Sequence, residues 1–153
     1  MALEHPEVRI PPPLLHLGGL LVGYGLDQAL HWTLPAWPGQ YALATALALF
    51  AVLLLAGAMV QFYRHRTTVL PHRAARELIT GGVFRLTRNP IYLAFALLHL
   101  GCALSLSSPG MLIMLPPILW VMHHHVIAAE EAFHEQRFGD QWQRYRQRVR
   151  RWI

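Results

Sequence analysis

Four apolar stretches take up about half of this sequence, and every basic residue lies outside them. The stretches run from about Pro13 to Leu30, Tyr41 to Phe62, Pro90 to Leu106, and Met111 to Ala129. A helix needs about 20 apolar residues to cross the hydrocarbon core, with about 17 as the lower limit. All four reach that length, the third only narrowly. Charged residues make up 14% of the 153-residue chain, against roughly 25% in an ordinary soluble domain. That leaves too little polar surface to cover a water-soluble core, and the mean hydropathy of +0.31 agrees. The chain reads as one all-α integral-membrane domain, residues 1–153, with two generic spans in 1–63 and a more informative part in 64–153.

Arginine placement sets the expected orientation. All 13 basic residues are arginine. Arg64, Arg66, Arg73, Arg76, Arg85 and Arg88 lie between spans two and three. Arg137, Arg144, Arg146, Arg148, Arg150 and Arg151 follow span four, and Arg9 precedes span one. The turns at His31–Gln40 and Ser105–Gly110 have none. Four spans with both termini in the cytoplasm place every arginine on the side that the positive-inside rule requires. The net charge of +5 therefore suits an anionic membrane face better than nucleic acid. The first span has one upstream basic residue and no small-residue cleavage site, unlike a signal peptide. A lone cysteine, Cys102, excludes an internal disulfide framework and a cysteine-based zinc finger.

Small residues are expected at helix contacts, where lipid supplies no hydrophobic drive to associate. Gly19 and Gly23 form such a pair in span one, and Ala42, Ala46 and Gly57 do so in span two. Pro116 and Pro117 are expected to kink span four. In the 64–89 segment, His72–Ile79 reads as a short helix ended by Thr80-Gly81-Gly82. Asn89 and Pro90 have the character of an N-cap and a first helical residue for span three. Gly139 can stop the helix after span four, and Asp140 with Gln143 has capping-box spacing for another. Phe138, Trp142, Tyr145, Val149 and Trp152 then recur on one helical face, which predicts a helix lying in the membrane interface.

Glu130 and Glu131 sit at the mouth of span four. Neighbouring carboxylates there need a cation or donor to offset desolvation and mutual repulsion. Arginines of the 137–151 segment could supply it; so could a ligand hydroxyl or ammonium. Adjacent helical positions point about 100° apart, so the two are not expected to share one ligand equally. His123, His124 and His125 follow one another and so point in three directions, whereas helical metal ligands need spacing of three or four. His99 shares a stripe with Tyr92, Phe95 and Cys102 and reads as an internally hydrogen-bonded or cavity-lining side chain.

Taken in order, Leu78–Phe84, Arg88-Asn89-Pro90-Ile91-Tyr92, Glu130-Glu131, Phe138–Trp142 and Tyr145…Ile153 resemble one family. They look like the C-terminal half of the isoprenylcysteine carboxyl methyltransferase and phospholipid methyltransferase superfamily. The resemblance covers about residues 70–153. It implies an integral-membrane enzyme using S-adenosylmethionine, with S-adenosylhomocysteine as product, and a lipophilic or lipid-linked acceptor. By the match, Asn89, Pro90, Ile91 and Tyr92 fall on the family's cofactor-binding Arg-His-Pro-x-Tyr segment. Glu130 falls on its cofactor-binding acid, with Glu131 beside it, and Arg76, Glu77, Leu78, Ile79 and Phe84 fall on the stretch that covers the cofactor. Asn89 replaces a histidine common in eukaryotic members, and Val126 replaces an arginine that holds a prenylcysteine substrate.

Physical expectations run alongside the resemblance. The start of span three offers free N–H groups and a positive dipole end for a carboxylate. Methyl transfer needs in-line approach with reacting atoms about 3–3.5 Å apart. An amine or thiol acceptor must lose a proton, and His125 is the candidate base. The competing class is a four-helix membrane haem or metal protein using His99 and His123–His125.

Overall fold

The computed structural model describes residues 11–66 and 77–153. Every regular element among them is helical: α1 (Pro12–Leu30), α2 (Gln40–Arg64), α3 (Pro90–Ser105), α4 (Pro109–Val121), α5 (Ala128–Phe138) and α6 (Asp140–Arg148). A 3₁₀ turn, Gly82–Arg85, precedes α3, and a π-helical turn, Met122–Ile127, joins α4 to α5 without a break. Helices are what a chain this apolar must form in lipid, because each backbone group then finds its partner within the segment.

Two helices are long and apolar enough to cross a membrane: Gln40–Arg64, with mean hydropathy 2.5, and the continuous Pro109–Phe138, with 1.5. α3 is apolar but has 16 residues. Large apolar side chains face outward on α1 and α2, with Leu21 and Leu53 about two-thirds exposed. Such a surface fits a lipid solvent and not water.

α1 packs chiefly on α4, α2 chiefly on α3, and α3 joins the two pairs. The inward face of α1 is the stripe His16, Gly19, Gly23, Asp27. The expected close approach at Gly19 and Gly23 is present: a Cβ on Gly23 would strike the Met111 backbone, and one on Gly19 would strike Ile118. Asp27 ties the far end of this contact by accepting from Ser108 Oγ and, at 2.7 Å, from Gly110 N. Ser108 is in turn the N-cap of α4, accepting from Met111 N at 3.1 Å.

In α2 the contact stripe differs from the expectation. Ala42 and Ala46 are exposed, and Ala44, Ala51, Leu54 and Ala58 are buried toward the interior. Ala51 and Leu54 form one apolar cluster with Ala94 of α3. Alanine is so frequent in α2 that its spacing alone selects no face. Gly57 does lie at a contact, against Val83.

The proline pair leaves α4 helical through Val121, and the departure from α geometry comes later, at Met122–Ile127. Of the expected His72–Ile79 helix, residues 72–76 lie outside the described residues, and Glu77–Ile79 are not helical. α6 also departs from expectation. It ends at Arg148, so Val149 and Trp152 leave the helix. Trp142 and Tyr145 are buried in the protein, 3% and 7% exposed, and not spread on a membrane surface. Asp140 and Gln143 form no capping box; Gln143 Nε2 donates to Glu135.

Candidate functional site

Tyr92 and Glu130 form the centre of the site. Tyr92 stands in the first turn of α3, and Glu130 in the first turn of α5. The tyrosine hydroxyl donates to Glu130 Oε1 at 2.6 Å. Among the described residues no cation lies within ion-pair distance of Glu130. A carboxylate with one hydroxyl partner, at the inner mouth of an apolar helix, retains capacity for a further donor.

Glu131 is in the opposite condition. Arg151 holds it with two parallel bonds, Nε to Oε1 at 3.0 Å and Nη2 to Oε2, and Arg88 Nη1 lies 3.2 Å from Oε1. Arg151 Nη1 also donates to His123 Nε2 at 2.6 Å. Arg151 of the 137–151 segment and Arg88, from just before α3, therefore neutralise Glu131, and neither reaches Glu130. The two acids diverge, as their adjacent helical positions require.

The segment after α6 is a strap. Val149 is extended, and the chain then crosses the start of α3. Arg150 O accepts from Arg88 N at 3.0 Å, and Arg151 O accepts from Asn89 Nδ2 at 2.9 Å and from Thr87 Oγ1 at 3.1 Å. Asn89 occupies the N-cap position, but its side chain makes no capping bond; it holds the strap instead. Thr87 Oγ1, wholly buried, supplies the acceptor for Asn89 N at 3.1 Å. With Pro90 at N1, the Ile91 and Tyr92 N–H groups have no intrahelical acceptor.

Arg88 lies under the strap with its side chain 10% exposed. Its Cζ sits 5.4 Å from the centroid of the Trp142 ring. The Nε and Nη1 atoms make no directed hydrogen bond, the Glu131 contact at Nη1 being an ion pair by distance alone. Burial lowers the pKa of this guanidinium from its ordinary value, and Glu131 opposes that shift. Burial also pushes the Tyr145 phenol up; its hydroxyl donates to Phe84 O at 2.7 Å.

The remaining predicted residues scatter. Phe84 stacks edge-on against Phe62 with centroids 5.8 Å apart. Ile79 is buried, and Glu77 is exposed and pairs with His65. Leu78 lines a cavity of about 630 Å³ with Thr80, Arg85, Arg144, Tyr145 and Arg148, whose lining includes neither Tyr92 nor Glu130. Arg76 lies outside the described residues. His125 is exposed, packs on Trp120, and makes no bond to Tyr92 or Glu130. Val126 is buried in an apolar cluster with Ile118 and Met122, on which Tyr92 also packs. His99 is fully buried and hydrogen-bonded to Met111 O at 2.9 Å. No three His, Cys, Asp or Glu side chains gather as a metal set among the described residues.

Residues 39–141, two-thirds of the chain and the part that carries Asn89, Tyr92 and Glu130, match the phospholipid methyltransferase family. The chain belongs to that family. Among curated relatives, a probable protein-S-isoprenylcysteine O-methyltransferase of Oryza sativa subsp. indica is 36% identical over 48% of this chain and 38% of its own length. Protein-S-isoprenylcysteine O-methyltransferase B of Arabidopsis thaliana is 28% identical over 82% of this chain and 60% of its own. The Schizosaccharomyces pombe enzyme of the same name is 28% identical over 63% of this chain and 42% of its own. The chain thus spans between about two-fifths and three-fifths of these relatives. No solved structure matches it. Arg151, Arg88, Thr87 and Trp142 meet around the start of α3 and Glu131; three of them stood in the family-like motifs, but none was singled out from the sequence as a cofactor contact. Arg151 was one of six arginines read as topogenic charge, and nothing in its spacing sets it apart.

Proposed function

We propose that this protein is an integral-membrane methyltransferase that transfers a methyl group from S-adenosylmethionine to a lipophilic acceptor. The observation that carries the reading is the contrast between the two acids: among the described residues Glu131 is neutralised by arginine, while Glu130 is met by a tyrosine hydroxyl and no cation. In a family of methyltransferases, an acid left with spare acceptor capacity beside a helix start suits a polar, doubly charged cofactor. The donors fit as well. Arg88 Nε is buried with no partner, and the first turn of α3 presents two more N–H groups, with the dipole of the helix behind them.

In this reading Glu130 accepts from ribose hydroxyls or the ammonium of the cofactor, and Tyr92 fixes the carboxylate's rotamer. The α3 start and Arg88 receive its carboxylate. The strap covers this end of the site and keeps water from it, so that charge interactions there are stronger than in bulk water. When bound, the cofactor supplies an activated methyl group on sulfur. The chain's contribution is chiefly positioning, which can account for a large part of a barrier of this type. The acceptor arrives laterally between four spans, with both termini cytoplasmic. Arg76, Glu77, Leu78, Ile79 and Phe84 are assigned to the cofactor by the resemblance alone, and the outer position of His125 gives no geometric support to its role as a base.

The test uses the full chain in lipid nanodiscs with S-adenosylmethionine carrying a labelled methyl group and a total membrane-lipid extract. Label passing into the organic phase supports the proposal, and its reduction by Glu130→Gln ties it to this site. Absence of transfer and of cofactor binding would contradict it.

A further inference from the structure

The buried stripe of α1 carries two polar side chains, and they are treated differently. Asp27 has its partners in Ser108 and Gly110. His16, 5% exposed, has a partner for one ring nitrogen only. Its Nδ1 lies 3.3 Å from His99 Nδ1, and His99 Nε2 lies 2.9 Å from Met111 O. A carbonyl can only accept, so His99 Nε2 holds the proton and donates. In a neutral ring His99 Nδ1 is then a lone pair. His16 Nδ1 must supply the N–H of the pair, which leaves His16 Nε2 as a second lone pair. That nitrogen is buried and has no hydrogen-bond partner. An acceptor left unused in apolar surroundings costs free energy and calls for an explanation.

Its position suggests one. The His16 ring is 6.0 Å from that of Phe95, which stands one turn beyond Tyr92 on the same face of α3. Leu15, next to His16, and Tyr92 both pack on the cluster of Ile118, Met122 and Val126. The lone pair therefore lies in the layer beside Phe95, one turn of α3 from the Tyr92–Glu130 pair and toward the apolar middle of the bundle. Among the described residues that layer is apolar apart from the two histidines, and no arginine is paired there. A carboxylate there would be buried without a counter-charge and would face a lone pair, whereas a hydroxyl or amine would satisfy it.

We propose that His16 Nε2 accepts a hydrogen bond from a hydroxyl or amine of the lipophilic methyl acceptor, which enters this layer as a donor and not as a carboxylate. The inference rests on the methyltransferase reading above and specifies the chemistry of its acceptor.

Two probes that differ by one O–H decide it: farnesol and farnesyl methyl ether, titrated calorimetrically against the full chain in detergent. The wild type is expected to prefer farnesol about tenfold, or about 1.4 kcal/mol. His16→Leu should erase the preference, and His16→Gln, whose amide oxygen still accepts, should keep part of it. Equal affinity of the wild type for both probes, no binding of farnesol, or a preference that survives in His16→Leu would overturn the proposal. S-adenosylmethionine binding is measured on the same samples and should be unchanged by either substitution. A wild type that prefers farnesol but binds no S-adenosylmethionine would defeat the methyltransferase reading while leaving the His16 contact standing. If His16→Leu fails to fold, the wild-type comparison and His16→Gln still decide.

Discussion

Glu130 and Glu131 differ by one position in sequence and by their whole environment in space. Replacing Glu131 with glutamine leaves the buried Arg88 and the half-buried Arg151 without a counter-charge. Breaking a buried pair from one side costs about 3–5 kcal/mol; the partial exposure of Arg151 brings the expectation to about 2–3 kcal/mol. A thermal melt of Glu131→Gln should therefore show a clear loss of stability, while Glu130→Gln should melt near the wild type. Asn89 supplies a second test at this scale. Its amide holds the strap at Arg151 O, so Asn89→Asp sets a carboxylate against a carbonyl and should weaken both the strap and cofactor affinity, the latter about tenfold. Asn89→Ser should fall between, and equal cofactor affinity across the three would leave Asn89 outside the site. The resemblance assigned Tyr92 and Glu130 to one site without joining them, and their hydrogen bond is a finding of the structure; the divergence of the two acids followed from helix geometry. That an arginine of the 137–151 segment meets the acids was legible, and Arg151 meets Glu131; which of the six it is was not, because an arginine that closes a strap has the same local sequence as one that merely faces the cytoplasm.

Helices and their contacts were legible where one residue type had one physical use. Gly19 and Gly23 marked the α1 face because they stand four residues apart and backbone approach requires glycine there; His16 and Asp27 lie on the same stripe at steps of three and four and could have been read with them. Gly23→Ala would push α1 away from Met111 and should destabilise the fold by about 1–3 kcal/mol, the usual cost of overpacking, in a denaturant melt. α2 was misread because its alanines recur at every spacing. α6 was misread because aromatic residues at steps of three and four serve a membrane surface and a protein interior equally well. Trp142 and Tyr145 turn inward to meet Arg88 and Phe84. Arg151→Ala should release the strap, raising hydrogen exchange at Thr87–Asn89 while leaving α1 and α4 protected. Uniform exchange in both proteins would show that the strap is not a separate unit.

At the scale of the whole molecule, two apolar helices are long enough to span a membrane, and the distribution of arginine argues for four spans with both termini inside. In a Cys102→Ala background, cysteines at Trp37 and Leu106, both exposed, should react with an impermeant reagent from outside intact cells. A cysteine at Tyr63, 87% exposed, should react only after lysis; the reverse pattern would invert the topology. That orientation puts Tyr92, Glu130 and the strap at the cytoplasmic face, where a charged cofactor has access, and His16 deeper, where a lipophilic acceptor does. The central claim is that Glu130 holds S-adenosylmethionine. Calorimetry of that cofactor against the wild type, Glu130→Gln and Glu131→Gln, each folded in nanodiscs, tests it most directly. The account predicts binding by the wild type and a loss of about 1–3 kcal/mol in Glu130→Gln, with a smaller loss in Glu131→Gln. Equal affinity of Glu130→Gln and the wild type, or no binding by the wild type, would contradict it.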